Sequence, residues 1–173
     1  MTRKIQLKIL VLNGPSLNLL GRREPEIYGR ETLADIEAAL KRRAVAIGKQ
    51  RKVSISIDLR QSNAESDLIG WIGAAMGKFD GIIINPASLT HTSIGLLDAI
   101  KATGLPCVEA HLSNIHARED FRKKSITAAG CIGQIMGFRS TSYLLALDGL
   151  VDHILRPSNA AVAGERKAKR GRR

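Results

Sequence analysis

Hydrophobic and polar residues follow two spacings along the chain, one typical of strands and the other of helices. Short apolar or alternating runs predict five strands, over residues 5–13, 53–59, 81–84, 106–110 and 128–136. Apolar residues that recur every three or four positions predict four helices, over residues 32–47, 66–79, 92–103 and 140–154. Thr32 and Asp35 have the spacing of a capping pair, which favours a helix beginning there.

Strands that alternate with helices predict a parallel sheet covered on both faces. Because crossover connections are right-handed, we expect an α/β fold of the flavodoxin-like type, a three-layer sandwich with strand order 2-1-3-4-5. The chain shows no internal repeat, so residues 1–156 are predicted to form a single domain. Residues 157–173 are rich in Ala, Gly, Lys and Arg and lack an apolar face, which predicts a basic disordered tail.

A net charge of +11 suggests a nucleic-acid partner, but the distribution of the charge argues against one. The tail holds six Lys or Arg residues against one Glu, so about half of the excess lies on a solvated segment. Three Phe, one Trp and two Tyr residues are too few to supply the stacking rings of a single-strand binder. We therefore expect no nucleic acid as partner and keep binding through the tail as a subordinate hypothesis.

Several other classes of protein are excluded by what the sequence lacks. No run approaches the roughly 18 apolar residues that span a bilayer, and no signal peptide is visible, which predicts a soluble cytoplasmic protein without a membrane partner. Cys107 and Cys131 are too few for a disulfide framework and too isolated for a zinc site. Neither a dinucleotide-binding nor a phosphate-binding glycine motif is present. We therefore expect chemistry performed by side chains alone, without a cofactor or metal.

Polar side chains follow the predicted strands at the points where the strands end. They stand at residues 13–16, 60–63, 85–92 and 109–114. Because the carboxyl ends of parallel strands meet at one edge of the sheet, these amides, hydroxyls and imidazoles are expected to lie together. The sequence therefore predicts a site for an organic anion or a polyol at this edge.

The polar loop at residues 21–30 is longer than the usual two to six residues between a strand and a helix, which suggests a lid over the site. Tyr28 lies in this loop, five residues after Arg23. An arginine within about 4–6 Å lowers the pKa of a tyrosine by about one to three units from its ordinary value near 10. Tyr28 is thus a candidate general base; a surface tyrosine packed on a loop is an equal alternative.

His111 follows Glu109 by two residues on a predicted strand, so the carboxylate is placed to contact the imidazole. Such a carboxylate selects one tautomer and favours the protonated ring, as a general acid requires. A histidine capped in a turn is the competing interpretation.

Three further polar residues near the predicted edge have both a functional and a structural interpretation. His91 is a helix-cap residue or a ligand donor, and Asn85 is a ligand donor or a turn residue before the following proline. Arg122 belongs to a solvated face or binds a carboxylate. His116 and His153 are predicted to be surface residues.

Five segments together resemble type II 3-dehydroquinate dehydratase. They read LNGP at residues 12–15, NLLGxREPxxYG at 18–29, QSNxE at 61–65, INPAxxTHTS at 84–93 and ExHLSNxHxRE at 109–119. The resemblance runs in order from about residue 9 to residue 147. It implies a flavodoxin-like fold, a homododecamer built as a tetramer of trimers, and removal of water from 3-dehydroquinate to give 3-dehydroshikimate without a cofactor. Such a reaction serves aromatic biosynthesis or quinate breakdown.

The resemblance also implies a role for each candidate residue. Tyr28 would take a proton from the carbon beside the ketone, with Arg23 favouring the tyrosinate. His111, positioned by Glu109, would give a proton to the departing hydroxyl. The residues implied to hold the substrate are Asn85, His91, Leu112, Ser113 and Arg122, with Asp98, on an exposed helix face, reaching the site of a neighbouring subunit.

The chain departs from the family pattern at three positions. Ser16 stands where the family has an Asn that helps to hold the water stabilising the enolate, and a serine offers one donor instead of two. Arg139 and Ser142 replace two glycines, which is expected to alter a turn or its packing. An active dehydratase remains the main hypothesis; the alternative is a non-catalytic or altered-substrate paralogue that binds a cyclic polyol acid.

Overall fold

The computed structural model describes residues 5–22 and 29–156. Two predicted catalytic residues, Arg23 and Tyr28, lie outside the described residues, and so does the predicted tail at 157–173. Within the described ranges, no helix is both long and apolar enough to cross a membrane.

Five parallel strands form one sheet in the predicted order, β2-β1-β3-β4-β5. The strands are β1 (Gln6–Asn13), β2 (Ser54–Gln61), β3 (Gly81–Asn85), β4 (Cys107–His111) and β5 (Gly133–Met136). The register pairs Asn13 with Gln61 on one side and with Asn85 on the other. Three polar strand ends therefore lie side by side, and the predicted α/β sandwich is confirmed.

Four helices cover the two faces of the sheet. They are α1 (Leu33–Arg51), α2 (Glu65–Gly73), α3 (Ile94–Thr103) and α4 (Thr141–Leu155). One core joins α1 and α4 to the sheet through residues such as Leu40 and Leu147, and the other joins α2 and α3 through residues such as Ile72 and Leu96. The predicted capping box of Thr32 and Asp35 is present at the start of α1.

The apolar run of β1 supplies both cores, because successive side chains of a strand point to opposite faces. Ile9 and Val11 pack towards α1 and α4, whereas Leu10 and Leu12 pack towards α2 and α3. All four are fully buried. Burial on both faces explains why residues 9–12 of β1 read as a continuous apolar run rather than as an alternating one.

Two predicted elements have different bounds in the structure. The strand predicted over 128–136 begins only at Gly133, because the preceding residues form a 3-10 turn, Thr127–Gly130. The Ser125 hydroxyl accepts the Ala128 amide there and satisfies it locally instead of leaving it for a strand ladder. The helix predicted over 66–79 ends at Gly73, since residues 74–78 form turns and Gly77 has a positive φ of 70°.

Candidate active site

A cavity of about 230 Å³ lies at the carboxyl edge of the sheet, where the sequence predicted a site. The predicted residues that line it are Ser16, Asn85, His111, Leu112, Ser113 and Arg122. They come from the ends of β1, β3 and β4 and from the segment after β4. The fold therefore brings these six predictions together in one concave space.

Three other predicted residues do not line this cavity. Glu109 is fully buried behind His111. His91 ends a 3-10 turn after β3, and its Nδ1 lies 2.8 Å from the Lys124 carbonyl oxygen. Because a carbonyl oxygen only accepts, Nδ1 carries a proton and Nε2 remains for another partner. Asp98 is exposed on α3, on the outside of the subunit.

Glu109 and His111 form a buried pair at the end of β4. His111 Nε2 lies 2.7 Å from Glu109 Oε1. Since an ionised carboxylate only accepts, Nε2 carries a proton and the carboxylate selects that state of the ring. His111 lines the cavity whereas Glu109 does not, so the pair can deliver positive charge to a ligand through the imidazole alone.

Glu109 is ionised although it has no exposed surface. Burial by itself raises the pKa of this carboxyl, but hydrogen bonding and charge attraction with His111, together with the hydroxyls of Thr127 and Ser125, hold the pKa below its ordinary value of 4.5. An anion beside the imidazole stabilises a positive charge on the ring. This arrangement is one in which the imidazole can serve as a proton donor.

Sequence reasoning missed the hydroxyl and amide groups around Glu109. They belong to Thr90, Ser125, Thr127 and Gln134. Thr90 stands inside a quoted motif, but Ser125 and Thr127 lie in an irregular stretch where no periodic pattern marks a side chain as buried. Their position depends on how that stretch folds back on β4.

Asn85 is held by a buried tyrosine. Its Nδ2 donates to the Tyr143 hydroxyl over 2.8 Å, and that hydroxyl donates to Asn13 Oδ1 over 2.7 Å. Asn85 Oδ1 accepts the Ala87 amide, so the predicted turn interaction is also present. One proton of Nδ2 remains for a ligand in the cavity. Burial raises the pKa of Tyr143, which keeps its phenol neutral.

Gly14 allows the ends of β1 and β3 to approach each other. A Cβ at this position would lie 2.4 Å from the Pro86 carbonyl oxygen, a distance that no side chain tolerates. The Gly14 amide also donates to the Asn85 carbonyl oxygen over 2.8 Å. A glycine is therefore required for Ser16 and Asn85 to reach the same cavity.

Ser16 has a left-handed backbone, with φ 65° and ψ 3°. Its amide donates to Asn63 Oδ1 over 2.9 Å. Asparagine is several-fold enriched in this conformation because its side chain bonds locally to the backbone, whereas serine gains less. The backbone thus suits the Asn that the resemblance places here better than it suits Ser16.

Two arginines give the cavity a positive wall. Arg122 Nε and Arg118 Nε each lie 3.3 Å from Glu119 Oε2, so one carboxylate is shared between two guanidinium groups. Arg122 also stacks on Phe121, with the guanidinium carbon 4.9 Å from the ring centre. Within the described chain, the contact of Arg122 Nε with Glu119 is an ion pair but not a hydrogen bond, and this buried N–H has no other acceptor. Arg118, to which the sequence assigned no role, also lines the cavity.

Arg139 and Ser142, which stand where the resemblance places glycines, lie where β5 leads into α4. Arg139 has φ 52°, and its amide donates to the Leu112 carbonyl oxygen over 2.9 Å. A left-handed conformation costs a residue other than glycine roughly 1–2 kcal/mol. Ser142 is fully buried, and its hydroxyl accepts the Phe138 amide. The turn therefore holds the Leu112 wall of the cavity in place, with strain at Arg139.

Known proteins resemble the chain over most of its length. The family model for class II dehydroquinase matches residues 7–151. The 3-dehydroquinate dehydratase of Geotalea daltonii is 56% identical over 148 residues, which are 86% of this chain and 99% of that protein. The crystal structure of type II dehydroquinase from Propionibacterium acnes superimposes with a TM-score of 0.78 at 40% identity, covering 86% of this chain and 98% of that one. The type II dehydroquinase of Butyrivibrio crossotus gives a TM-score of 0.76 at 38% identity, covering 84% and 97%. The chain therefore belongs to the class II dehydroquinase family.

Proposed function

We propose that the protein is a 3-dehydroquinate dehydratase, a hydro-lyase that removes water from 3-dehydroquinate to give 3-dehydroshikimate. The observation that carries this proposal is the buried pair of Glu109 and His111, whose imidazole lines a cavity together with Arg118 and Arg122. A cyclic acid with several hydroxyl groups matches the amides, hydroxyls and guanidinium groups of that cavity. Relatives that bear the same name cover most of the chain.

The first step is removal of a proton from the carbon beside the ketone, which leaves an enolate. The chain has two tyrosines, and Tyr143 is unsuited to be the base because its phenol is buried with a raised pKa and already donates to Asn13. Tyr28 is the remaining phenol, and the charge of Arg23 favours its ionised form. The electron pair of the broken C–H bond passes into the enolate.

The second step expels the hydroxyl group as water. His111 gives a ring proton to the departing oxygen as the C–O bond breaks, and the enolate collapses to a conjugated enone. Glu109 stabilises the positive charge that His111 carries before the transfer. The cycle closes when the proton on Tyr28 returns through solvent to His111, so no cofactor takes part.

The remaining residues hold the substrate. We assign its carboxylate and its ring hydroxyls to Asn85, His91, Arg122 and the backbone and hydroxyl of the Leu112–Ser113 segment. Asn85 retains an amide proton and Arg122 a buried N–H for such contacts. His91 retains its second ring nitrogen. Asn85, His91 and Arg122 therefore each have a hydrogen-bonding position that no other described residue uses.

Assembly into a homododecamer, a tetramer of trimers, is part of the proposal. Ile94 is 63% exposed and stands one helical turn before Asp98 on α3, so a subunit covering Ile94 would meet Asp98 as well. Asp98 would then contribute to the neighbour's site. Sedimentation of the purified protein tests this proposal, and a mass of twelve chains is the expected result; a monomer would contradict it.

A direct assay tests the proposed function. Purified protein is mixed with 3-dehydroquinate, and the absorbance of the conjugated enone of 3-dehydroshikimate is followed with time. A steady rise proportional to protein concentration is expected. Binding of 3-dehydroquinate without any rise would instead support the non-catalytic paralogue.

We expect Ser16→Asn to raise kcat by about tenfold. The asparagine amide offers a second donor to the water beside the enolate, and one donor at such a position is worth about a hundred- to a thousandfold in the strongest cases. The rate of enone formation at saturating substrate measures the effect. An unchanged kcat would mean that another group holds this water.

Lys52→Asn is the matched control for this substitution. Lys52 also has a left-handed backbone, with φ 57°, but it lies at the end of α1 and away from the cavity. Both substitutions relieve the same kind of backbone strain, so both are expected to raise the melting temperature slightly. Only Ser16→Asn is expected to raise kcat.

A further inference from the structure

Glu109 receives more hydrogen bonds than its contact with the imidazole requires. Four side chains contact it: Thr90 Oγ1 at 2.8 Å, Ser125 Oγ at 2.8 Å and Gln134 Nε2 at 2.6 Å from Oε1, and Thr127 Oγ1 on Oε2. We call these four side chains the Glu109 cage. An isolated buried carboxylate is unstable as an anion, so this number of donors calls for an explanation.

The cage is assembled from three parts of the chain. Thr90 lies in the turn after β3, and Ser125 and Thr127 come before β5. Gln134 is on β5, directly beside Glu109 in the register of β4 and β5. Among the described residues that line the cavity, none belongs to the cage. The cage therefore acts on a ligand only through Glu109 and the imidazole that Glu109 contacts.

Gln134 differs from the hydroxyl groups of the cage because its amide nitrogen only donates. A hydroxyl can turn and accept a hydrogen bond from a protonated carboxyl, whereas Gln134 Nε2 has no free lone pair. The hydrogen bond of 2.6 Å from Gln134 Nε2 to Glu109 Oε1 therefore favours the ionised form of Glu109 over the neutral one. Thr127 supports the other oxygen from a fully buried position.

The titratable groups near Glu109 are consistent with an anion at this position. Against the effect of burial, which raises it, His111 lowers the pKa of Glu109 most, and hydrogen bonds from two members of the cage, Thr127 and Ser125, lower it further. Cys107 is the other titratable neighbour, and its contact with Cys131 together with its burial holds the pKa of its thiol well above the ordinary value. A neutral thiol adds no charge to that of the carboxylate.

We propose that Gln134 and Thr127 are positioning residues of the active site, which hold Glu109 as an oriented anion and so keep His111 ready to donate a proton. This inference rests on the proposed function, in which His111 protonates the leaving hydroxyl. It extends the machinery to two residues that touch neither substrate nor imidazole. Loss of either donor makes the anion less stable and the proton donor less effective.

The test compares variants that remove one donor each and keep the volume of the side chain. Gln134→Leu and Thr127→Val are each expected to lower kcat about ten- to a hundredfold, as the loss of a hydrogen bond to a charged group allows, with KM changed less than about threefold. Thr127→Ser keeps the hydroxyl and is expected to restore most of kcat. Thr103→Val removes a hydroxyl that bonds only to the backbone at the end of α3, and it is expected to leave kcat unchanged.

A second readout follows the carboxyl itself and does not depend on activity. The side-chain carboxyl carbon of Glu109 is titrated by ¹³C NMR, with Glu109→Gln to assign the signal. Because the folded pKa of Glu109 is lowered, the wild-type anion persists above about pH 4.5 and is lost only as the pH falls through the lower folded value. In Gln134→Leu and Thr127→Val the midpoint is expected to move to higher pH, and the acid limb of the kcat profile with it.

The outcomes separate this inference from the proposed function. If the wild type forms the enone but both variants keep the wild-type kcat and carboxyl titration, the cage has no positioning role. A loss of kcat that Thr127→Ser does not restore, with an unmoved titration, would show a packing effect and would also overturn the inference. If the wild type forms no enone, the proposed function fails, while the carboxyl titration still decides whether the cage holds the anion. Melting curves establish that each variant is folded. If Gln134→Leu does not fold, the comparison of Thr127→Val with Thr127→Ser decides whether the cage has a positioning role.

Discussion

His111→Asn is expected to lower kcat by about a hundred- to a ten-thousandfold, the range that a positioned general acid supplies. Asparagine keeps a donor for Glu109 Oε1 but has no proton that it can give to a leaving hydroxyl. This choice matters because a substitution without a donor would also cost the buried carboxylate one of its hydrogen bonds and destabilise the fold. Enone formation at saturating substrate measures the loss.

Deuterium exchange shows which of the two steps His111→Asn affects. In D₂O, enolate formation exchanges the proton beside the ketone for deuterium in the recovered 3-dehydroquinate, whether or not water is then lost. The variant is expected to continue this exchange while elimination falls, because the base is intact. His153→Asn, at an exposed position on α4, is the matched control and is expected to leave both rates unchanged. If His111→Asn still eliminates water at more than about a tenth of the wild-type rate, His111 is not the general acid.

The sheet was predictable because its central strands are buried on both faces. Residues 9–12 of β1 and 81–84 of β3 read as unbroken apolar runs, and the right-handed connections leave few possible strand orders. The start of β5 was not predictable in the same way. Residues 128–132 are apolar, and the Ser125 hydroxyl accepts the Ala128 amide within a turn, a contact that no periodic pattern reports.

Some residues of the site are placed by the register of the sheet and were predictable, whereas others are placed by tertiary packing and were not. Asn13, Gln61 and Asn85 meet because they occupy equivalent positions in a parallel register, which the topology alone dictates. Thr127 reaches Glu109 across 18 residues of irregular chain, so its contact depends on tertiary packing. The helix that carries Tyr143 was also predicted from the sequence. The contact of its hydroxyl with two strand ends 72 residues apart was not. Asn13 and Asn85 are those strand ends.

Tyr28→Phe is expected to lower kcat by at least a hundredfold and to abolish deuterium exchange as well. Phenylalanine keeps the ring but has no oxygen to take the proton, so the enolate does not form and neither step proceeds. This pattern differs from that of His111→Asn, in which exchange survives. The rates of enone formation and of deuterium uptake, measured on the same preparation, distinguish the two roles. Exchange at the wild-type rate in Tyr28→Phe would assign proton removal to another group.

Tyr143→Phe provides the matched comparison, because it removes the other phenolic hydroxyl of the chain. That hydroxyl bonds Asn85 and Asn13 in a buried position, so its loss costs each of these amides one of its hydrogen bonds and lowers the free energy of unfolding by about 1–3 kcal/mol. A lower melting temperature with exchange still measurable is therefore expected for Tyr143→Phe. The reverse, an unchanged melting temperature without exchange, is expected for Tyr28→Phe. The two substitutions remove the same chemical group. The expected contrast between them therefore distinguishes a hydroxyl that takes a proton from one that stabilises the fold.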